Sequence, residues 1–424
     1  VLNAQKHDDL LEYATNNNFW PLEINLILHV MQYSEDDPRN FSKYDTADLH
    51  QIFTFVNQMY DHFGLPSRPV EGVPFLESSK IKFHIKGIYF HVDSVGWKID
   101  WLEPRGMAKV ISYDSNRNWI EIKGSNQYLY NKKEGLVLKY TNGKSVKFLA
   151  DSVYTKDGKV YIRTKEKPNA TGLDSLGFYH LENNNCWSRN YDKYGRSLSN
   201  GINVFFTQST AGKIMFGCGP GKNFLNMSSV YKSHSWAAAQ LIAHEIGHCL
   251  GLSHTDSPQF PDLPKTDKFG WLNCDATDVS NNIMGYNICR NYLSPMQIGF
   301  VHRTFNTKPD YINLTSNKIY NPLRVMYLDS SLVLKRNFVI NGDLVIKRGR
   351  TLTVNSIVYI TDQTKIIIED KAQLIVDGGS ISVLDKKTNG NVIYCRRYGS
   401  SKKPKKKGSI KAINNGKIVG IQNI

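Results

Sequence analysis

The chain has 424 residues, 41% of them hydrophobic, 21% charged and 12% aromatic. That length holds two to three domains at roughly 100–200 residues each, and the composition excludes a wholly disordered chain, a collagen-like chain and a small disulfide scaffold. The net charge of +15 is uneven: from Ile319 to Ile424 there are 19 Lys and Arg against 7 Asp and Glu.

No stretch approaches the ~20 apolar residues of a membrane span, so no transmembrane segment is expected. The first residues, Val1 to Asp9, lack a basic segment followed by an apolar one. The protein is therefore expected either to be cytoplasmic or to have lost an export signal. A basic C-terminal part can contact an anionic surface or glycan, although its densest run, Lys402-Lys403-Pro404-Lys405-Lys406-Lys407, reads first as solvated surface. No nucleic-acid motif is present, so no nucleic-acid partner is expected.

In chain order, Ile24–Val30 is a short apolar run that reads as a buried strand. An amphipathic helix follows, with Asp45 or Thr46 as cap, apolar residues at Leu49, Ile52, Phe53, Val56, Tyr60 and Phe63, and Gly64 where a stop belongs. Ile81–His91 alternates like a strand. From about 104 to 172 the pattern changes to short strands, with hairpin signals at Asn142-Gly143 and Lys156-Asp157-Gly158, which predicts a β-rich insertion. Strands return at Ile202–Phe206 and Ile214–Gly217, followed by a helix over Ser235–Cys249. Ser294-Pro295-Met296-Gln297 carries the marks of a capped helix start.

Beyond a linker between about Lys308 and Leu332, Asp343–Val354 matches Lys365–Val376 at an offset of 22 residues, and Ser409–Val419 echoes them. A period in the low twenties made of strands fits stacked β-solenoid rungs; a small antiparallel sandwich is the alternative. The expected division is 1–318 and a basic, all-β 319–424.

The segment that carries chemistry is His244-Glu245-Ile246-Gly247-His248-Cys249-Leu250-Gly251-Leu252-Ser253-His254. On a helix His244 and His248 lie one turn apart on one face and can share a metal. Glu245 can then reach a metal-held water, Gly251 can end the helix in a left-handed turn, and His254 can supply a third nitrogen. Three neutral His with an open fourth position is a catalytic zinc pattern, whereas structural zinc is closed by four protein ligands. A helix with incidental histidines is the bland reading, and agreement at five positions weighs against it.

This segment resembles the metzincin metallopeptidases at every defined position of their His-Glu-x-x-His-x-x-Gly-x-x-His motif. Members of that clan carry a Met-containing turn downstream, for which Asn282-Ile283-Met284-Gly285-Tyr286 is the candidate. Within the clan the likeness is to the pappalysin-type (cytophagalysin-like) group, through Gly270-Trp271, Cys274, the Asn-Ile-Met-x-Tyr turn, Cys289 and Leu293-Ser294-Pro295-Met296-Gln297.

The resemblance implies an α+β catalytic domain, a mixed sheet plus the zinc-site helix, with zinc on His244, His248 and His254. It implies Glu245 as general base and Tyr286 near the metal, either ligating it at rest or donating to the oxyanion. It further implies a secreted or cell-surface endopeptidase of bacterial extracellular type acting on protein or peptide. Structural calcium is a possible addition, although no Asp-rich loop assigns its ligands. The rival class is a surface adhesion or glycan- and matrix-binding protein with an incidental peptidase domain.

Six cysteines, at 186, 218, 249, 274, 289 and 395, allow 15 complete pairings. The implied secretion favours Cys274–Cys289 and, less strongly, Cys186–Cys218. Cys249 reads as packed in the core, and Cys395 has no evident partner.

Overall fold

A strand buried on both faces organises the first part of the chain in a computed structural model. This strand, β1 (Leu22–Gln32), pairs in parallel with β2 (Ile81–Val92) on one side and β10 (Ile202–Thr207) on the other. Parallel pairing on both sides explains why the run is apolar rather than alternating. β12 (Phe224–Ser228) continues the sheet in parallel, and β11 (Phe216–Cys218) closes it as an antiparallel edge, in the order β11-β12-β10-β1-β2. The structure describes residues 9–14, 20–35, 37–98, 103–123, 136–148, 150–157, 159–165, 167–180, 188–208, 215–218, 221–255, 259–264, 279–384, 392–395 and 408–423.

Three helices cover one face of this sheet: α1 (Thr46–Asp61), α2 (Ser235–Cys249) and α3 (Pro295–Thr307). Leu26, Leu28 and Val30 of β1 share a core with Leu49, Ile52, Phe53 and Val56 of α1, Ile242 and Ile246 of α2, and Val301 and Phe305 of α3. Met31, Phe205 and Trp97 form a second, smaller core on the opposite face with Tyr191, Tyr194 and Phe224.

Two details of α1 differ from expectation. Asp45 occupies the cap position, but its carboxylate accepts from the Ser42 backbone and hydroxyl, both at 2.7 Å, rather than from the helix. The helix ends at Asp61 with His62 as its cap. Gly64 lies beyond the end, where its N–H donates 3.0 Å to the Asn291 carbonyl, so the apolar Phe63 packs against the core from outside the helix.

The insertion is larger than its sequence signals. Seven strands order as β6-β5-β9-β3-β4-β8-β7: β3 (Glu103–Asp114), β4 (Trp119–Lys123), β5 (Leu136–Tyr140), β6 (Ser145–Phe148), β7 (Ala150–Lys156), β8 (Lys159–Thr164) and β9 (Leu173–His180). Both expected hairpins form, β5–β6 and β7–β8. The expected end at 172 stops short of β9, which pairs with both β3 and β5 and joins the two halves of the sheet. This sheet buries its own cluster, including Ile120, Ile122, Leu136, Leu138, Val160, Ile162 and Leu176.

In the C-terminal part every pairing among the described strands is parallel. Val325–Leu328, Asp343–Ile346, Lys365–Ile368, Val392–Cys395 and Gln422–Asn423 line up in one sheet, and two four-stranded sheets run beside it. Leu344 faces Ile366 and Leu352 faces Leu374, so the 22-residue repeat is also the spatial register. The expected Lys402–Lys407 run lies outside the described residues.

Contacts tie this part to the first: Arg324 pairs with Glu23, and Arg336 Nη1 donates to the carbonyls of Glu12 and Tyr13 at 2.9 and 2.8 Å. Among the cysteines, Cys218 and Cys289 each take part in a disulfide, Cys249 and Cys395 are free, and Cys186 and Cys274 lie outside the described residues.

Two buried histidines give the fold a pH dependence. His29 stacks on Phe205 at 4.4 Å and shares its ring nitrogens with Asn203 and His91, and burial pushes it down to about 4. Buried His302, whose Nε2 donates 2.8 Å to the Ser79 carbonyl, is also pushed down to about 4. Both are neutral when folded and titrate near 6.5 when unfolded, so the unfolded chain binds more protons between those values. The stability they contribute is complete above pH 6.5 and is lost as pH falls towards 4, at roughly 2 kcal/mol each by pH 5. Urea unfolding at pH 7.5 and 5.0 should show this loss, and His302→Gln should make it shallower; an unchanged slope in that variant would remove His302 from the account.

Candidate active site

α2 can approach both the sheet and α1 closely because its buried positions Ala238, Ala239 and Ala243 are small. Buried Tyr60 of α1 locks the pair by donating 3.0 Å to the Ala243 carbonyl. His244 and His248 follow on the same face, their rings 4.8 Å apart and nearly perpendicular.

The helix then stops abruptly. Gly251 has φ +88°, its N–H reaches the His248 carbonyl at 2.9 Å, and the Leu252 N–H reaches the Gly247 carbonyl at 3.0 Å. This is the paired bonding of a Schellman end, which needs a left-handed residue at Gly251. The turn delivers His254 to the other two: its Nε2 lies 2.9 Å from Nε2 of His248 and 3.1 Å from Nε2 of His244.

Three nitrogens so placed fit a metal. Zn–N distances of about 2.0–2.1 Å at tetrahedral angles put ligand nitrogens roughly 3.3 Å apart; the two spacings from His254 are near that value, and all three ligand atoms lie within 4.8 Å of one another. Nδ1 of His244 lies 2.8 Å from the Ile283 carbonyl and Nδ1 of His248 lies 2.8 Å from the Leu252 carbonyl. Donation from each Nδ1–H leaves Nε2 as the free ligand atom. Burial lowers all three histidines, His254 to about 4, so they are neutral and ready to bind a cation. No other group of three or more His, Cys, Asp or Glu side chains is gathered this way among the described residues.

Beneath the histidines runs the turn Asn282–Tyr286. Met284 is fully buried, and its Sδ lies where a Cβ on Gly247 would come within 2.2 Å. The motif position between Glu245 and His248 thus has a steric reason to be glycine. The Tyr286 hydroxyl lies 2.8 Å from Nδ1 and 3.3 Å from Nε2 of His254. Glu245 is 8% exposed, and burial pushes it up to about 7 while the Arg290 charge pulls it down. No described residue donates a hydrogen bond to its carboxylate. Gly217 of the edge strand β11 passes against that carboxylate, where a Cβ would fall 2.4 Å from Cδ.

The structure therefore brings together all five residues singled out by sequence. It adds two that sequence reasoning missed. Arg290, 2% exposed, donates from Nε to the Gly285 carbonyl at 3.0 Å and from Nη1 to the Gln240 carbonyl at 3.3 Å. Gln240, one turn before His244, donates 2.7 Å to the Ile288 carbonyl. Together they tie the Met-containing turn to the zinc-site helix, and neither belongs to a local motif.

A mixed sheet, a helix bearing two histidines, a third beyond a glycine turn and a methionine below are the features of a metzincin-type zinc peptidase. The family model described as Matrixin matches residues 137–270, which supports a zinc-dependent metallopeptidase of this type. The matched segment contains His244, Glu245, His248 and His254 and ends before Met284 and Tyr286. No curated protein matches the sequence.

The close approach of Met284 to Gly247 predicts a coupled pair. Gly247→Ala should destabilise the protein by about 1–3 kcal/mol through overpacking, while in a Met284→Ala background the same change should cost much less. Denaturant unfolding of the two single variants and the double variant measures this coupling; additive losses would mean that the two side chains do not compete for space.

Proposed function

We propose that the protein is a secreted zinc endopeptidase. The observation that carries this reading is the convergence of three neutral imidazole nitrogens beside a buried carboxylate to which no described residue donates a hydrogen bond. His244, His248 and His254 would hold the ion. Zinc, when bound, supplies the Lewis acidity that polarises a peptide carbonyl and acidifies water.

The remaining work falls to the chain. Glu245, held partly proton-seeking by burial, takes the proton of the attacking water and passes it to the departing amine. Tyr286, whose hydroxyl lies beside the His254 ring, would donate a hydrogen bond to the carbonyl oxygen as charge develops there. β11 pairs with β12 on one side only among the described strands, so an extended substrate can add along its other edge, beside Glu245.

Finer features belong to the same proposal. The Asn282-Ile283-Met284-Gly285-Tyr286 turn and the Leu293–Gln297 helix start favour a pappalysin-type peptidase. Secretion accords with the pairings Cys274–Cys289 and Cys186–Cys218. We divide the chain into a peptidase unit, 1–318, carrying the β-rich insertion, and a C-terminal unit, 319–424, whose parallel register we read as a solenoid. An adhesion-only protein would leave the complete set of three histidines and Glu245 without a use.

Purified protein should hold one zinc per chain and cleave a denatured protein, with activity lost on chelation. Glu245→Ala should keep the metal and lose about 10²–10⁴ of turnover; near wild-type cleavage by that variant would overturn the assigned mechanism.

Tyr286→Phe keeps the ring and its packing. Loss of an oxyanion donor costs about 10²–10³ in kcat, so kcat should fall together with kcat/KM while KM changes little. A fall in zinc affinity as well would assign the hydroxyl to the resting metal, and an unchanged kcat would return Tyr286 to a packing role.

A further inference from the structure

The N-terminus of α3 is wired into the zinc site through one pair of buried amides. Ser294 and Gln297 form a reciprocal capping box: the Ser294 hydroxyl accepts from the Gln297 N–H at 3.3 Å, and Gln297 Oε1 accepts from the Ser294 N–H at 2.9 Å. An ordinary box ends there.

Here the Gln297 side chain also pairs head to head with Asn282. Asn282 Nδ2 donates to Gln297 Oε1 at 2.8 Å, and Gln297 Nε2 donates back to Asn282 Oδ1 at 3.3 Å. Both residues are 1% exposed. Asn282 Oδ1 in turn accepts from the Met284 N–H at 2.9 Å, and Asn287 Nδ2 donates to the Asn282 carbonyl at 3.0 Å. The conformation of the turn below the histidines is therefore held by side-chain amides anchored on α3. From that turn the Ile283 carbonyl faces Nδ1 of His244, and Met284 packs under Gly247.

The segment that follows His254 returns to the same helix end. Asp262, 5% exposed, accepts from the Ser294 hydroxyl at 2.9 Å and from the Met296 N–H at 2.7 Å. The Thr255 N–H reaches the Met284 carbonyl at 3.3 Å.

We propose that the Asn282–Gln297 amide pair is a positioning element that sets the zinc affinity of the His244–His248–His254 site. This deepens the zinc-peptidase reading and rests on it. The pair touches neither metal nor substrate. It acts by fixing the Ile283 carbonyl that orients the His244 ring, and partners of that kind are worth about 10–100-fold in metal affinity. It also gives Gln297 a requirement that capping alone does not impose. A capping box accepts Glu or Gln at this position, but only Gln carries the Nε2–H that Asn282 Oδ1 receives.

The test compares Gln297→Glu and Asn282→Ala with wild type, measuring the zinc dissociation constant by competition with a chromogenic chelator, alongside thermal unfolding with and without zinc. Gln297→Met, of similar length and apolar, replaces the first variant should that one not fold. Zinc affinity is expected to fall about 10–100-fold in the folded variants. At saturating zinc, kcat should fall while KM stays within about twofold, because the substrate-binding edge is untouched. A purely structural role would instead lower the unfolding temperature equally with and without zinc and leave the dissociation constant within about threefold of wild type, and that result would overturn the proposal. Wild-type protein that bound no zinc at all would overturn the zinc-peptidase reading itself, a distinct outcome.

Discussion

Three imidazole nitrogens must stay unprotonated within 4.8 Å of one another, and the architecture around the site serves that requirement. Three donors that close repel when protonated and gain little from one another when neutral, so they do not gather without support. Burial keeps them neutral, and the Ile283 and Leu252 carbonyls point the Nδ1 protons of His244 and His248 away from the centre. A straight helix can supply two ligands but not the third, because residue 254 on a continued helix would lie too far along the axis. The left-handed break at Gly251 converts a linear element into a three-sided pocket.

The surrounding fold supplies rigidity at three levels. The sheet fixes α2 from one side, with Ala238, Ala239 and Ala243 permitting close approach. α1 fixes it from another through the Tyr60 bond. The turn bearing Met284 closes it from below, held by Arg290 and by the amides of Asn282 and Gln297. Small side chains on the helix and polar side chains beneath it have complementary roles: the former allow contact, and the latter prevent the contacting loop from relaxing.

How much of this was legible in the sequence followed the range of the interactions. The span of α2, the cap at Ser294 and the glycine break at Gly251 were readable because each depends on residues within one or two helical turns. The 22-residue repeat was readable because stacked parallel strands copy a local pattern at a fixed interval. The end of the insertion was missed because β9 earns its place by pairing with β3, some seventy positions earlier. The stop assigned to Gly64 was wrong because its approach to Asn291 is a tertiary contact. Arg290, Gln240 and the Asn282–Gln297 pair were invisible for the same reason: buried polar residues show no periodicity, and their partners are distant in sequence.

The order of strands in the peptidase sheet also bears on how the protein is made. β1 emerges before two of its partners: Leu26 waits for Ile202 and Ile24 for Thr315 before the sheet is complete on those sides. At about 5–20 residues per second, the interval before β10 follows β1 out of the ribosome is roughly ten to thirty seconds. During that time a strand apolar on both faces has an unpaired edge, the condition that invites association between nascent chains. The insertion, whose seven strands, among the described residues, pair only with one another, can collapse in the same interval without waiting for either partner. Vectorial synthesis thus leaves a strand that ends up buried on both faces as an exposed hazard of the unfinished chain, and chaperone capture before residue 202 emerges would protect it.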